Sequence, residues 1–153
     1  ASYTVAGPLH IGGALAGADN SKLKPLLDYG GAHGKAFQIR DDINGVFGDE
    51  VKTGKPNDSD LKQGKRTLLL VKTFEECDEE EKKFILSRVG TSMSDDDVNK
   101  MRELIKKYAL EYCENLCSEC VSKARNFIID AELNEEGKNF LINIAEFVAR
   151  RDN

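Results

Sequence analysis

Gly34-Lys35-Ala36-Phe37-Gln38-Ile39-Arg40-Asp41-Asp42-Ile43-Asn44-Gly45-Val46-Phe47-Gly48-Asp49 keeps an apolar helical rhythm that is interrupted by two adjacent carboxylates. Ile39 and Ile43 fall on one face of such a helix and suit a core. Gln38 stands three residues before Asp41 and four before Asp42, so these three polar side chains project from neighbouring positions. A charge taken out of water is costly unless something pairs it. The residues that follow supply the pairing groups: Lys52, Thr53-Gly54-Lys55-Pro56, Asp58, Asp60 and Gln63-Gly64-Lys65-Arg66-Thr67. Helical carboxylates followed by a Gly-rich loop with several lysines suit a divalent metal held against a diphosphate. Hard oxygen ligands match Mg²⁺, and ammonium groups match phosphoryl oxygens.

Outward from this stretch the chain reads as helix after helix. Tyr3 to Ala18 is helical but Gly-rich, and Gly7, Gly12, Gly13 and Gly17 each cost up to about 1 kcal/mol against Ala, so tertiary packing must hold it. Asp19, Asn20 or Ser21 caps a helix over Lys22 to Phe47, with Pro25 in its first turn. Residues 48 to 65 contain Gly48, Gly54, Pro56 and Gly64 and read as an ordered loop. Thr67 to Glu76 is a short helix with a buried Leu68-Leu69-Leu70-Val71 run, and Asp78 to Val89 is another, capped by Asp78 and closed by Gly90. Ser94 with Asp97 forms a capping box that opens a long helix to Asp130, with Val98, Met101, Leu104, Ile105, Tyr108, Tyr112 and Leu116 as its apolar stripe. Asn134 starts a last helix through Arg150, with Phe140, Leu141, Ile144, Ala145 and Val148 facing inward. No segment reads as a strand, and the expectation is an all-α helical bundle forming a single domain over 1–153.

Composition narrows the function classes. With 153 residues, 32% charged and a net charge of -5, the chain has the length for one real core and no electrostatic support for non-specific nucleic-acid binding. No apolar run approaches the 18 or so residues of a membrane span. Ala14-Leu15-Ala16-Gly17-Ala18 imitates a signal-peptide cleavage site, but no Lys or Arg precedes Lys22, so a cytoplasmic protein is expected.

The run FQIRDDINGVFGDEVKTGKPNDSDLKQGKRTLL, residues 37 to 69, resembles the second aspartate-rich region of the trans-isoprenyl diphosphate synthases of the short-chain geranylgeranyl and farnesyl type. Tyr3-Thr4 with Gly7-Pro8-Leu9 and Ile11-Gly12, and Tyr29-Gly30 through Gly34-Lys35-Ala36-Phe37-Gln38, resemble the segments before it. The resemblance implies the isoprenoid synthase fold and a prenyltransferase that joins isopentenyl diphosphate to an allylic diphosphate with Mg²⁺. It implies Asp41 and Asp42 as metal ligands, Lys55 and Lys65 as diphosphate contacts, and Gln38 as a polar group that orients the diphosphate or a metal-bound water. The family's motif is DDxxD, and Gly45 stands at its third acidic position; Asp49, two turns beyond Asp42, is placed to act through water. The family's first aspartate-rich motif lies upstream of anything present here. The resemblance therefore implies the C-terminal half of a longer, homodimeric enzyme, inactive without its other half.

Other motifs carry weaker readings. Cys113, Cys117 and Cys120 give CxxxCxxC, the spacing of some iron–sulfur sites, but also i, i+4, i+7 on a helix, where cysteines act as small hydrophobes. No Gly or Pro nearby forms a cluster loop, so reduced thiols in a reducing compartment are expected. His10 and His33 lack Ser or Cys partners and read as structural. Arg40 and Lys35 read as solvent-facing charges. Lys65 follows Gly64, yet no Gly precedes that one by five residues, so a P-loop fails, and the acidic positions of an EF-hand are absent. Two rival functions remain, a non-catalytic subunit or inactive paralogue of a prenyltransferase, and a helical interaction module.

Overall fold

Side chains that reach back to unpaired amides set where the helices begin. The computed structural model describes residues 2–50 and 56–150, and no strand occurs among the described residues. A π-helical turn over Ser2–Ala6 leads into α1 (Gly7–Leu15), and α2 follows over Asn20–Phe47. Asp19 Oδ1 accepts from the Ser21 amide at 3.0 Å and the Lys22 amide at 3.2 Å, the cap expected of this segment. The helix starts at Asn20 rather than Lys22, so Pro25 lies beyond its first turn and removes one intrahelical hydrogen bond there.

Among the described residues, the stretch read as loop contains a helical turn, α3 (Ser59–Lys62), around the buried Leu61. Next come α4 (Leu68–Glu76) and α5 (Glu79–Arg88). Thr67 Oγ1 accepts from the Leu70 amide at 3.3 Å, and Asp78 with Glu81 completes a capping box. In α4 the Leu-rich run is not buried as a block: Leu69, Leu70 and Thr73 face inward, whereas Val71 is 44% exposed. Helical periodicity divides any four-residue run between two faces.

The long helix shows the largest departure from the expected pattern. Its Ser94–Asp97 capping box is present, and α6 (Asp95–Ile105) buries Val98, Met101, Leu104 and Ile105. A π-helical turn over Lys106–Leu110 then precedes α7 (Glu111–Ile129). An i→i+5 turn takes up one extra residue, so the inward stripe moves forward by one position. Ala109, Cys113 and Cys117 are buried where Tyr108, Tyr112 and Leu116 were expected, and Tyr112 is 46% exposed. The cysteines are core residues, and none of the four forms a disulfide.

Asn134 Oδ1 accepts from the Gly137 amide at 2.7 Å and caps α8 (Glu135–Arg150). Leu141, Ala145 and Val148 are buried as expected. Phe140, at 62% exposure, and Ile144 instead line a second, outward stripe with Phe147.

By chain contacts the described residues fall into two compact units, one from residues up to Arg40 with those from Leu116 onward, the other from Asp41–Asn115. In the first, Ala6 packs against Gly30 so tightly that a Cβ on residue 30 would lie 2.4 Å from the Ala6 Cα. Tyr29, fully buried, donates its hydroxyl to the Leu141 carbonyl at 2.7 Å and stacks on His33, whose Nδ1 is 3.4 Å from the same oxygen. Burial pushes the Tyr29 phenol up to about 12 and holds the His33 imidazole below its usual range. Arg40 does not simply face solvent: it donates Nη2 to the Ala149 carbonyl at 2.9 Å, placing a cation at the C-terminal end of α8. In the second unit Leu61, Leu69, Ile85, Met101 and Ile105 are core residues.

Candidate active site

The second unit brings one lysine and two carboxylates together. Lys65 Nζ lies 3.2 Å from Asp42 Oδ1 and 2.9 Å from Asp60 Oδ2. Asp42 projects from the inner side of α2 with its side chain 9% exposed, so its negative charge has little water to dissipate into. A local turn sets the lysine: the Lys65 amide donates to the Asp60 carbonyl at 2.9 Å and the Gly64 amide to the Leu61 carbonyl at 3.1 Å. Gly64 makes this turn at φ +66°, against Gly90 at φ +77°, conformations that favour glycine. The Gly90 amide also donates to the Leu61 carbonyl at 3.1 Å, fastening the end of α5 to α3. Partial burial pulls the Lys65 pKa down, but hydrogen bonds and charge from Asp60 and Asp42 outweigh it and leave the ammonium above its ordinary value. The Asp42 charge also reaches Cys113, whose thiol is raised to about 11, chiefly by burial.

The remaining expected site residues are placed as follows. Asp41 is exposed beside the buried Asp42, and Gln38 is exposed on the part of α2 that belongs to the first unit. Lys55, with Lys52 and Gly54, lies outside the described residues. His10 is half-buried and His33 buried against Tyr29.

Asp60, one of the groups that the sequence sets after the acid pair, shares the lysine with Asp42. One further residue of this region carries no local sequence signal. Arg102, on α6, donates Nε to the Val46 carbonyl at 2.9 Å and Nη2 to the Asn57 carbonyl at 3.3 Å and to the Asn57 Oδ1. Asn57 in turn donates its side-chain amide to the Gly48 carbonyl at 3.1 Å and its backbone amide to Glu50 Oε1 at 3.0 Å. Arg102 thus ties the end of α2 to the segment leading into α3. The partners are 45 and more residues away in sequence, a distance no spacing rule spans.

The donor set fits a hard divalent cation. Two carboxylates already converge on a single positive charge, and Asp41 stands next to them in contact with solvent. No group of three or more His, Cys, Asp or Glu is close enough to cage a metal among the described residues. Mg²⁺ does not need such a cage, since it binds through one or two carboxylates and keeps several waters.

The polyprenyl synthetase family model matches residues 1–108. The chain is 39% identical over 144 residues to a geranylgeranyl diphosphate synthase of Sulfolobus acidocaldarius, covering 92% of this chain and 43% of the relative. A geranylfarnesyl diphosphate synthase of Aeropyrum pernix is 37% identical over 131 residues, covering 82% and 40%. Among solved structures, a geranylgeranyl pyrophosphate synthase of Corynebacterium glutamicum, complexed with isoprenyl diphosphate and magnesium, superposes with TM-score 0.92 at 34% identity, over 98% of this chain and 43% of that one. The chain spans less than half the length of these relatives. Helical fold, paired aspartates, loop lysine and a family match over more than two-thirds of its residues converge: the chain belongs to the polyprenyl synthetase family.

Proposed function

We propose that this chain is part of a trans-prenyltransferase that condenses isopentenyl diphosphate with an allylic diphosphate (dimethylallyl, geranyl or farnesyl) into a longer isoprenoid diphosphate such as geranylgeranyl diphosphate. The observation that carries the reading is the Lys65 ammonium held between Asp42 and Asp60, a cation site made by α2 and the turn that follows α3. The chemical difficulty is breaking an allylic carbon–oxygen bond, which leaves a carbocation and a highly charged anion. Bound Mg²⁺ would supply Lewis-acid stabilisation of the charge growing on the diphosphate. Asp41 and Asp42 would hold that metal, Lys65 and Lys55 would contact the diphosphate oxygens, and Gln38 would orient them. Charges aimed at the leaving diphosphate would stabilise it electrostatically as the bond breaks. Residues 1–153 would form one portion of a single helical domain, completed by further polypeptide of the same enzyme. The relatives' greater length supports this, and a homodimer is the assembly we expect. Four cysteines with no disulfide among them support a reducing, cytoplasmic setting. No described helix is long and apolar enough to cross a membrane.

The test incubates the intact protein with labelled isopentenyl diphosphate and each allylic diphosphate, with Mg²⁺ or with chelator. Mg²⁺-dependent formation of a longer diphosphate, abolished in Asp42→Ala, is expected. No product from any allylic partner would favour the non-catalytic reading. Metal-dependent diphosphate binding that survives Asp41→Ala with Asp42→Ala would favour a plain interaction module.

A further inference from the structure

Gly45 occupies the helix position where a DDxxD pattern carries its third acid, and the space beside it is filled. A Cβ on residue 45 would lie 2.7 Å from Asp60 Oδ2 and 3.2 Å from Asp60 Cγ. The absent side chain is therefore replaced, in the same place, by a carboxylate carried on α3. The oxygen beside Gly45 is also the one that holds Lys65 Nζ at 2.9 Å, with Asp42 Oδ1 on the same ammonium at 3.2 Å. Two carboxylates facing one point repel each other unless a cation lies between them. The lysine side chain is 40% exposed, against 9% for Asp42 and 18% for Asp60, so of the three it has the most open space to turn into.

We propose that Asp60 takes the part of the third motif acid and that the Lys65 ammonium is an exchangeable placeholder. A divalent cation enters between Asp42 and Asp60, and the displaced ammonium turns to the diphosphate. A side chain at 45 would meet the outer end of the Asp60 carboxylate, which would then have to turn aside. This rests on the function proposed above and specifies how its metal is admitted. The exchange conserves charge pairing: the acids trade a singly charged partner for a doubly charged one, and the lysine gains an anionic partner as it leaves.

The test titrates Mn²⁺, a spectroscopically visible stand-in for Mg²⁺, into the intact protein with and without inorganic pyrophosphate, following free Mn²⁺ by electron paramagnetic resonance. Lys65→Met removes the competing charge, and Mn²⁺ alone is expected to bind about tenfold tighter than in the wild type. Mn²⁺-dependent pyrophosphate binding is expected to weaken by about the same factor, because the displaced ammonium is lost. Asp60→Gly should lose Mn²⁺ affinity, and Asp60→Gly with Gly45→Asp, which returns the acid to α2, should recover it. Lys65→Gln serves as a second charge-removing variant, and a thermal melt of each protein screens for folding. Mn²⁺ affinity unchanged or reduced in both Lys65 variants overturns the placeholder. Mn²⁺ affinity unchanged in Asp60→Gly overturns the substitution of the third acid. Either result leaves the proposed function standing provided wild type binds pyrophosphate with Mn²⁺ and Asp42→Asn does not. A wild-type protein that shows no Mn²⁺-dependent pyrophosphate binding overturns both.

Discussion

Arg102→Ala removes the guanidinium that joins α6, the end of α2 and Asn57. Its bonds to the Val46 carbonyl at 2.9 Å and to the carbonyl and side-chain oxygen of Asn57 are made by one half-buried group. Hydrogen bonds to a charged donor contribute about 1.5–3 kcal/mol each, but bonds that share one side chain do not add, so about 3 kcal/mol in total is expected. For a chain of this size that lowers the melting temperature by roughly 6–12 °C. Arg102→Lys keeps the charge but not the fork, and should recover only part of the loss. The assay is thermal denaturation followed by circular dichroism, paired with titration of Mg²⁺ and pyrophosphate. Asn57 is bonded to both Gly48 and Glu50, so releasing it loosens the segment that carries Asp60, and pyrophosphate affinity should fall several-fold with it. A melting shift below about 2 °C for Arg102→Ala would refute the clamp. So would equal losses in the Ala and Lys variants, since the fork would then contribute nothing.

Gly30→Ala places a Cβ 2.4 Å from the Ala6 Cα, where backbone rather than a flexible side chain must yield. About 1–3 kcal/mol of stability should be lost in urea denaturation, whereas Gly31→Ala, with nothing within 4 Å, should cost little. Burial holds the His33 pKa below 6.5, so the unfolded chain binds a proton that the folded chain resists. Its contribution is complete above 6.5 and is lost as the pH falls below that value toward the lower folded pKa; His33→Gln should flatten the stability profile just below pH 6.5. The Cys113 thiol, raised to about 11 and fully buried, should react with an aromatic disulfide reagent at least about a hundredfold more slowly in the native protein than in denaturant. Comparable native and denatured rates would contradict its burial.

The helical class and most helix starts were legible because they depend on short-range chemistry. Asp19, Thr67, Asp78, Ser94 and Asn134 each cap a helix with their own side chain, and the polar or acidic signals that mark such caps lie within three residues. The burial pattern was legible only as far as helical period stays regular. It held for Val98 through Ile105 and failed from Tyr108 onward, because a turn that takes an extra residue has no composition signal in Lys106-Lys107-Tyr108-Ala109-Leu110. In the site, Asp42 and Lys65 could be named from the stretch that contains them. Asp60 could be named as part of that spacing but not its place beside Gly45, and Arg102 could not be named at all, since its partners are the distant carbonyls of Val46 and Asn57.

The surplus residue lodged between α6 and α7 sets where this part of the chain can change in length. Deleting one exposed residue of the turn, such as Lys106 or Lys107, would return the backbone to ordinary winding and leave everything downstream facing as it does. Deleting one residue inside the nineteen of α7 has no such outlet and would rotate the remainder by about 100°, swinging sulfurs toward water. An alignment of relatives that slips by one place across this turn would pair inward residues with outward ones all the way to Ile129.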